Sequence, residues 1–219
     1  MSPTSSEFVD EVLRINDRYV HEVVEAFDIC PYARGARTGG AVERQVLLDE
    51  KPDLAATLCA IDAVDGKSMI ALLLFPRVES DASTFDRFVG ELRAADSARH
   101  DGRAPFAMAM FHPDAPYGTD SPARLVLFFR RTPDPTIQLV RFSALDAVKG
   151  TAPSGGKILF DWTPRGFAEL DRRANELPVS ERIARDNFAL IARDTPVRLQ
   201  RIYDDIRADR TRSYARFPR

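Results

Sequence analysis

The sequence predicts an α+β (or α/β) fold: a mixed β-sheet with flanking helices, a long N-terminal helix and a helical C-terminal segment. Three observations lead there. Apolar runs of strand length alternate with amphipathic stretches of roughly 11–15 residues. The chain opens on an apolar stripe of helical period, and from Gly166 onward the pattern is helical again.

In residues 7–27, Phe8, Val12, Ile15, Tyr19 and Val23 recur every three or four positions, widened by Val9, Leu13, Val20 and Val24, and predict one long helix. Thr4 stands three residues before Glu7, the spacing at which a capping box satisfies the first backbone donors. The helix is expected to stop before Pro31, because a residue preceding proline is pushed out of helical geometry. After Gly39 and Gly40, residues 42–48 read as a strand. A second helix starts near Pro52 and carries Leu54, Leu58 and Ile61 on its inner face, with Cys59 packed beside them.

Asp65-Gly66 marks a turn. The run Met69 to Phe75, closed by Pro76, suits a central strand covered on both faces. Ser83-Thr-Phe-Asp86 repeats the capping-box spacing ahead of a helix bearing Phe85, Phe88, Val89 and Leu92. Residues 105–111 and 125–129 are further apolar strands, and 137–140 and 158–160 are shorter candidates. Leu199, Ile202, Tyr203 and Ile206 form the stripe of a last helix after Thr195-Pro196. Residues 1–164 are taken as the core domain and 165–219 as a helical extension packed on it. Strand order is not readable from the sequence.

The 219 residues hold 31 basic and 33 acidic side chains, a formal charge of −2 that argues against a nucleic-acid partner of the histone-like kind. The extension is mildly basic, with 13 basic against 9 acidic residues. Its arginines, Arg207 to Arg219, are expected to be a solvated helix end. No apolar run approaches the roughly 20 residues of a membrane span, and no signal peptide is visible. Two cysteines, neither in a zinc spacing, fit a reduced, cytoplasmic protein.

Two segments carry chemistry. Asp28-Ile-Cys-Pro-Tyr-Ala-Arg34 places Cys30 near a helix end and follows it with Arg34 and Arg37. Nearby cations favour a reactive thiolate, whereas the negative pole of a helix C-terminus opposes it; a small buried cysteine is the alternative. Phe111-His-Pro-Asp114 follows a strong strand, where loops commonly hold ligand chemistry, and offers His112 and Asp114 as acid/base groups. A hydrogen-bonded structural histidine is the competing reading. His21 and His100 look like surface residues. Gly150 to Lys157 lacks the Gly-Lys-Ser/Thr that a phosphate loop needs, and no dinucleotide or zinc-protease motif occurs. Asp114, Asp120 and Asp134 do not have a diagnostic metal spacing, so neither metal nor cofactor is expected.

Asp28-Ile-Cys-Pro-Tyr-Ala33 resembles the Asn-Leu-Cys-Pro-Phe-Ala signature of an uncharacterised bacterial family classed as a domain of unknown function. Phe111-His-Pro-Asp114 resembles that family's Phe-His-Pro-Asp segment, and Arg130-Arg-Thr-Pro-Asp-Pro135 leading into Gln138-Leu-Val-Arg141 resembles its third motif. Arg130, Asp134 and Gln138 depart from it, standing where the family has Asn, Tyr and His. The resemblance implies that Cys30, His112, Arg131 and Arg141 belong to one site.

The leading expectation is an enzyme acting on a small anionic molecule, with Cys30 as thiolate, His112 as its acid/base partner, and Arg34, Arg37, Arg131 and Arg141 as the anion clamp. The alternatives are a non-catalytic anion-binding or thiol-sensing module and a subunit that pairs through its long helices.

Overall fold

The computed structural model describes residues 4–27, 29–30, 33–115, 130–144 and 195–218. Its elements are α1 (Ser5–Tyr19), a π-helix (Val20–Glu25), α2 (Ala33–Thr38), β1 (Val42–Val46), α3 (Leu54–Asp62), β2 (Ile70–Leu74), α4 (Ala82–Arg99), β3 (Phe106–Phe111), β4 (Thr136–Arg141) and α5 (Thr195–Tyr214). The strands expected at 125–129 and 158–160, and the helical stretch 166–194, lie outside the described residues.

The sheet order is β1-β2-β4-β3. β1 and β2 are parallel, and β4 runs antiparallel to both neighbours, so the sheet is mixed. Side chains alternate between its two faces. On one face Ala71, Leu73, Met108, Met110, Ile137 and Leu139 meet α3 and α4 through Ile61, Phe85, Val89 and Leu92. On the other, Leu74 packs with Phe8 and Val12 of α1, while Ile15, Tyr19 and Val23 pack with Leu199, Tyr203 and Ile206 of α5. The stripe that predicted the first helix is therefore the stripe that is buried.

Four local expectations change. The first helix does not run uniformly to residue 27: after Tyr19 it widens into a π-helix whose i→i−5 bonds include Ala26 N–H to the His21 carbonyl and, beyond it, Ile29 N–H to the Val24 carbonyl. The turn widens, so Val23 stays buried against α5 while Tyr19, Val20 and Val24 touch that cluster and also border the cavity on the sheet side. The cap of α4 is Asp81, whose carboxylate accepts from Thr84 N–H at 2.7 Å and from the Ser83 hydroxyl at 2.9 Å; a carboxylate out-competes the Ser83 hydroxyl for that role.

α3 is capped by Asp53 and buries Thr57 and Ile61, an i,i+4 pair, leaving Leu54 and Cys59 exposed. Cys59 is therefore a surface thiol and not a packing residue. The C-terminal arginines are not simply solvated either, because three of them reach carboxylates across the fold. Arg207 pairs with Asp114 at 3.2 Å, Arg210 with Asp134 at 2.6 Å, and Arg216 with Glu11 at 3.2 Å. Arg14 and Arg18 of α1 meanwhile share Asp209 of α5. Among the described residues no helix is long and apolar enough to cross a membrane.

Candidate functional site

A cavity of about 240 Å³ lies between the α1–π-helix layer and the sheet face that α3 and α4 do not cover. The pairing register places its floor. Val42 and Arg44 of β1, Ile70 and Leu72 of β2, and Thr136 and Gln138 of β4 all point to this face, with Phe111 at the end of β3. Arg44, Leu72, Gln138 and Ala109 are register partners in one row across the four strands. Asn16, Asp17, Tyr19, Val20 and Val24 form the opposite wall, and Ile29, Cys30, Ala33 and Arg37 close one side.

All three motif segments reach this cavity, through Cys30 and Ala33, through Phe111, and through Thr132, Thr136 and Gln138. The second and third are laced together at the carboxyl edge of β3. His112 N–H donates to the Arg130 carbonyl at 2.9 Å, and Arg131 Nε donates to the Pro113 carbonyl at 3.3 Å. The Thr132 and Thr136 hydroxyls both donate to the Asp134 carbonyl, at 2.7 and 2.8 Å.

Within these motifs the structure separates wall residues from struts. His112 does not line the cavity. Its ring is 2% exposed, its Nε2–H donates to the Ser80 carbonyl at 2.9 Å, and its Nδ1 accepts from Asp114 N–H at 3.1 Å. Burial pushes the imidazole below its ordinary pKa, against the hydrogen bond to Ser80 and the nearby carboxylates of Asp114 and Asp81. It is a neutral ring with both nitrogens occupied by backbone. The Asp114 carboxylate points to Arg207.

The four expected clamp arginines are not brought together. Arg131 donates to the Gln200 side chain at 2.7 Å and lies over the Tyr203 ring, tying the 113 turn to α5. Arg141 caps the Ser68 and Asp65 carbonyls at 2.7 and 3.1 Å, at the far end of β4 from Thr136. Arg34 is largely exposed and approaches Glu25 at 3.4 Å. Arg37 alone lines the cavity. Its Nε and Nη2 hold Glu25, which the bond keeps below the usual carboxylate range, and its Nη1 has no partner among the described residues.

The sequence does not mark Arg44 or Asn16 as site residues, and it marks Gln138 only as a departure from the resembled motif. Arg44 gives Nη1 to Asp17 at 2.5 Å, and its Nε and Nη2 have no partner among the described residues. Asn16, 4% exposed, receives only a long 3.5 Å contact from Arg44 at its oxygen, and its amide nitrogen donates to no described group. The Gln138 side chain makes no hydrogen bond among the described residues and faces the cavity. Signals existed: period-2 alternation sets Arg44 on the face of Val42 and Val46, and Gln138 is the position where the resembled family has histidine.

Fold and site together define an α+β protein with a mixed sheet between helices and a small, mostly apolar cavity under its first helix, edged by a few uncommitted polar groups. A family model described as "Protein of unknown function (DUF1415)" matches residues 11–160, more than half of the chain, and the chain belongs to that family. The match spans the whole described sheet and all three motif segments. No curated protein and no solved structure matches the chain.

Proposed function

We propose that the cavity binds a small anionic molecule, and that this binding is the common task of the three motif segments. The observation that carries the reading is their convergence: segments about 80 and 20 residues apart in sequence border one cavity, and their struts, His112, Arg131 and Asp134, hold its edge in place. Arg37 and Arg44 are paired with Glu25 and Asp17, yet each keeps N–H groups with no partner among the described residues, which favours a ligand that accepts hydrogen bonds from a guanidinium. At about 240 Å³ the space is below the roughly 300–1,000 Å³ of drug-sized pockets, which limits the ligand to a small molecule.

A second reading, chemistry on the bound molecule by the Cys30 thiol, is favoured by one observation, that Cys30 lines the same cavity. His112, with both nitrogens bound to backbone, is a positioning residue in either case.

Thermal unfolding of the full chain with inorganic phosphate, succinate and hexanoate tests the binding reading. At least one of these anions should raise the midpoint by mass action, and a Leu72→Trp substitution, which fills the floor, should abolish the shift. No shift with any of the three would overturn it. For the second reading, Cys30 in a Cys59→Ser chain should alkylate more slowly when the stabilising anion is present; an unchanged rate removes Cys30 from the site.

A further inference from the structure

The polar wall residues divide the cavity into a head-group end and a chain end. Arg44 spends Nη1 on Asp17, which leaves the Nε–Nη2 edge, the side of a guanidinium that receives a planar carboxylate through two parallel hydrogen bonds. Asn16 adjoins it on α1, buried and with an unused amide N–H₂. Gln138 stands in the same cross-strand row, with only Leu72 between, so its Cα lies roughly 10 Å from that of Arg44 at ordinary strand spacing. Both side chains border the space above Leu72. The Asn16 and Gln138 amides each have a donor open to a ligand oxygen.

The remaining wall is of the opposite character. Val20, Val24, Ile29, Val42 and Ile70 offer no hydrogen bond from their side chains. A second charged group on the ligand would meet only Arg37 there, whose charge Glu25 already neutralises, and would be desolvated at a cost. One end therefore suits a single anionic head and the other a short hydrocarbon.

We propose, building on the anion-binding reading above, that the ligand is a small monocarboxylic acid whose carboxylate is received by the Arg44 Nε–Nη2 edge with the Asn16 and Gln138 amides, its apolar chain lying among Val20, Val24 and Ile29. Leu72 separates the two polar strands and forms the floor under the first carbons. Asp17 keeps Arg44 oriented through Nη1.

Titration calorimetry on the full chain with butyrate, hexanoate, hexanamide, succinate and inorganic phosphate tests this. The expected result is affinity rising about fourfold per added methylene between butyrate and hexanoate, as apolar burial predicts. Hexanamide should bind at least about tenfold more weakly, because it lacks the charge-assisted pair. Arg44→Lys keeps the charge and removes the fork, and should weaken hexanoate at least about tenfold. Gln138→Leu removes one donor at little cost to packing and carries the test if the Arg44 variant fails to unfold cooperatively; it should weaken hexanoate several-fold.

If phosphate or succinate binds more tightly than hexanoate, the anion-binding reading stands and the monocarboxylate assignment is overturned. If hexanamide equals hexanoate, or nothing binds, both fall. Hexanoate affinity unchanged in both variants also overturns the assignment, because the head group then lies elsewhere.

Discussion

His112 supplies the sharpest test of the division between wall and strut. Replacing it with alanine removes two hydrogen bonds, to the Ser80 carbonyl and from Asp114 N–H, each worth about 0.5–1.5 kcal/mol net. It also removes a ring contact with Phe85, centroids 5.9 Å apart, worth about 0.5–1 kcal/mol. His112→Ala should therefore cost about 1.5–4 kcal/mol. His112→Gln can place an N–H₂ near the Nε2 position, and His112→Asn an oxygen near Nδ1, so each should recover about half of that loss.

The sign of the pH dependence follows from the lowered pKa. The folded chain holds His112 neutral more strongly than the unfolded chain does, so this stability is fully present above the ordinary imidazole value of 6.5 and is lost as pH falls through the lower folded value. Urea unfolding followed by circular dichroism between pH 8 and 5 reads both effects. The wild-type midpoint should fall with pH, and the His112→Gln midpoint should fall less. An alanine variant as stable as wild type, or a wild-type midpoint that rises on acidification through this window, would refute the strut assignment and return the ring to candidacy as an acid/base group.

Three further outcomes are expected. Asp134 accepts from Arg210 at 2.6 Å and from the Tyr214 hydroxyl at 2.7 Å with its side chain only 4% exposed; Asp134→Ala should cost about 2–4 kcal/mol in thermal unfolding, largely because Arg210 is left half-buried without a counter-charge. Asp209, held well below the usual carboxylate range chiefly by the Arg14 hydrogen bond, contributes stability that is present above about pH 4 and lost on acidification; Asp209→Asn should flatten that acid limb in a pH series of unfolding midpoints. Tyr19 and Tyr203 share a hydroxyl hydrogen bond at the α1–α5 contact, and burial raises both above the ordinary phenol range. Tyr19→Phe should lower stability by about 1 kcal/mol in urea, with no new ionisation up to pH 10.

Much of the secondary structure was legible because it depends on local pattern. Thr4 and Glu7 cap α1 as their spacing predicts, and the Phe8–Val23 stripe and the Leu199–Ile206 stripe are both buried. The failures are equally local in cause. Asp81 captured the cap of α4 because charge was not weighed against the Ser83 hydroxyl, and Cys59 faces solvent because the inner face of α3 turns on Thr57 rather than Leu58. Of the site, the three motif segments were visible and Cys30 borders the cavity, but other conspicuous side chains are engaged away from it. His112, Arg131 and Arg141 satisfy backbone carbonyls, while the plainer Phe111, Thr132 and Gln138 form the wall.

The sequence by itself determined which segments form helices and strands and which face of most of them is apolar, since periods of 3.6 and 2 are written in successive residues. Only the tertiary structure decided that β4 inserts antiparallel between β2 and β3, because strand pairing joins residues about 65 positions apart, and no local period encodes a partner. That single pairing places Gln138 in the row of Leu72 and Arg44. α1 carries Asn16 and the π-helical turn carries Val20 and Val24 over that row, and the cavity exists where this helical layer meets the sheet.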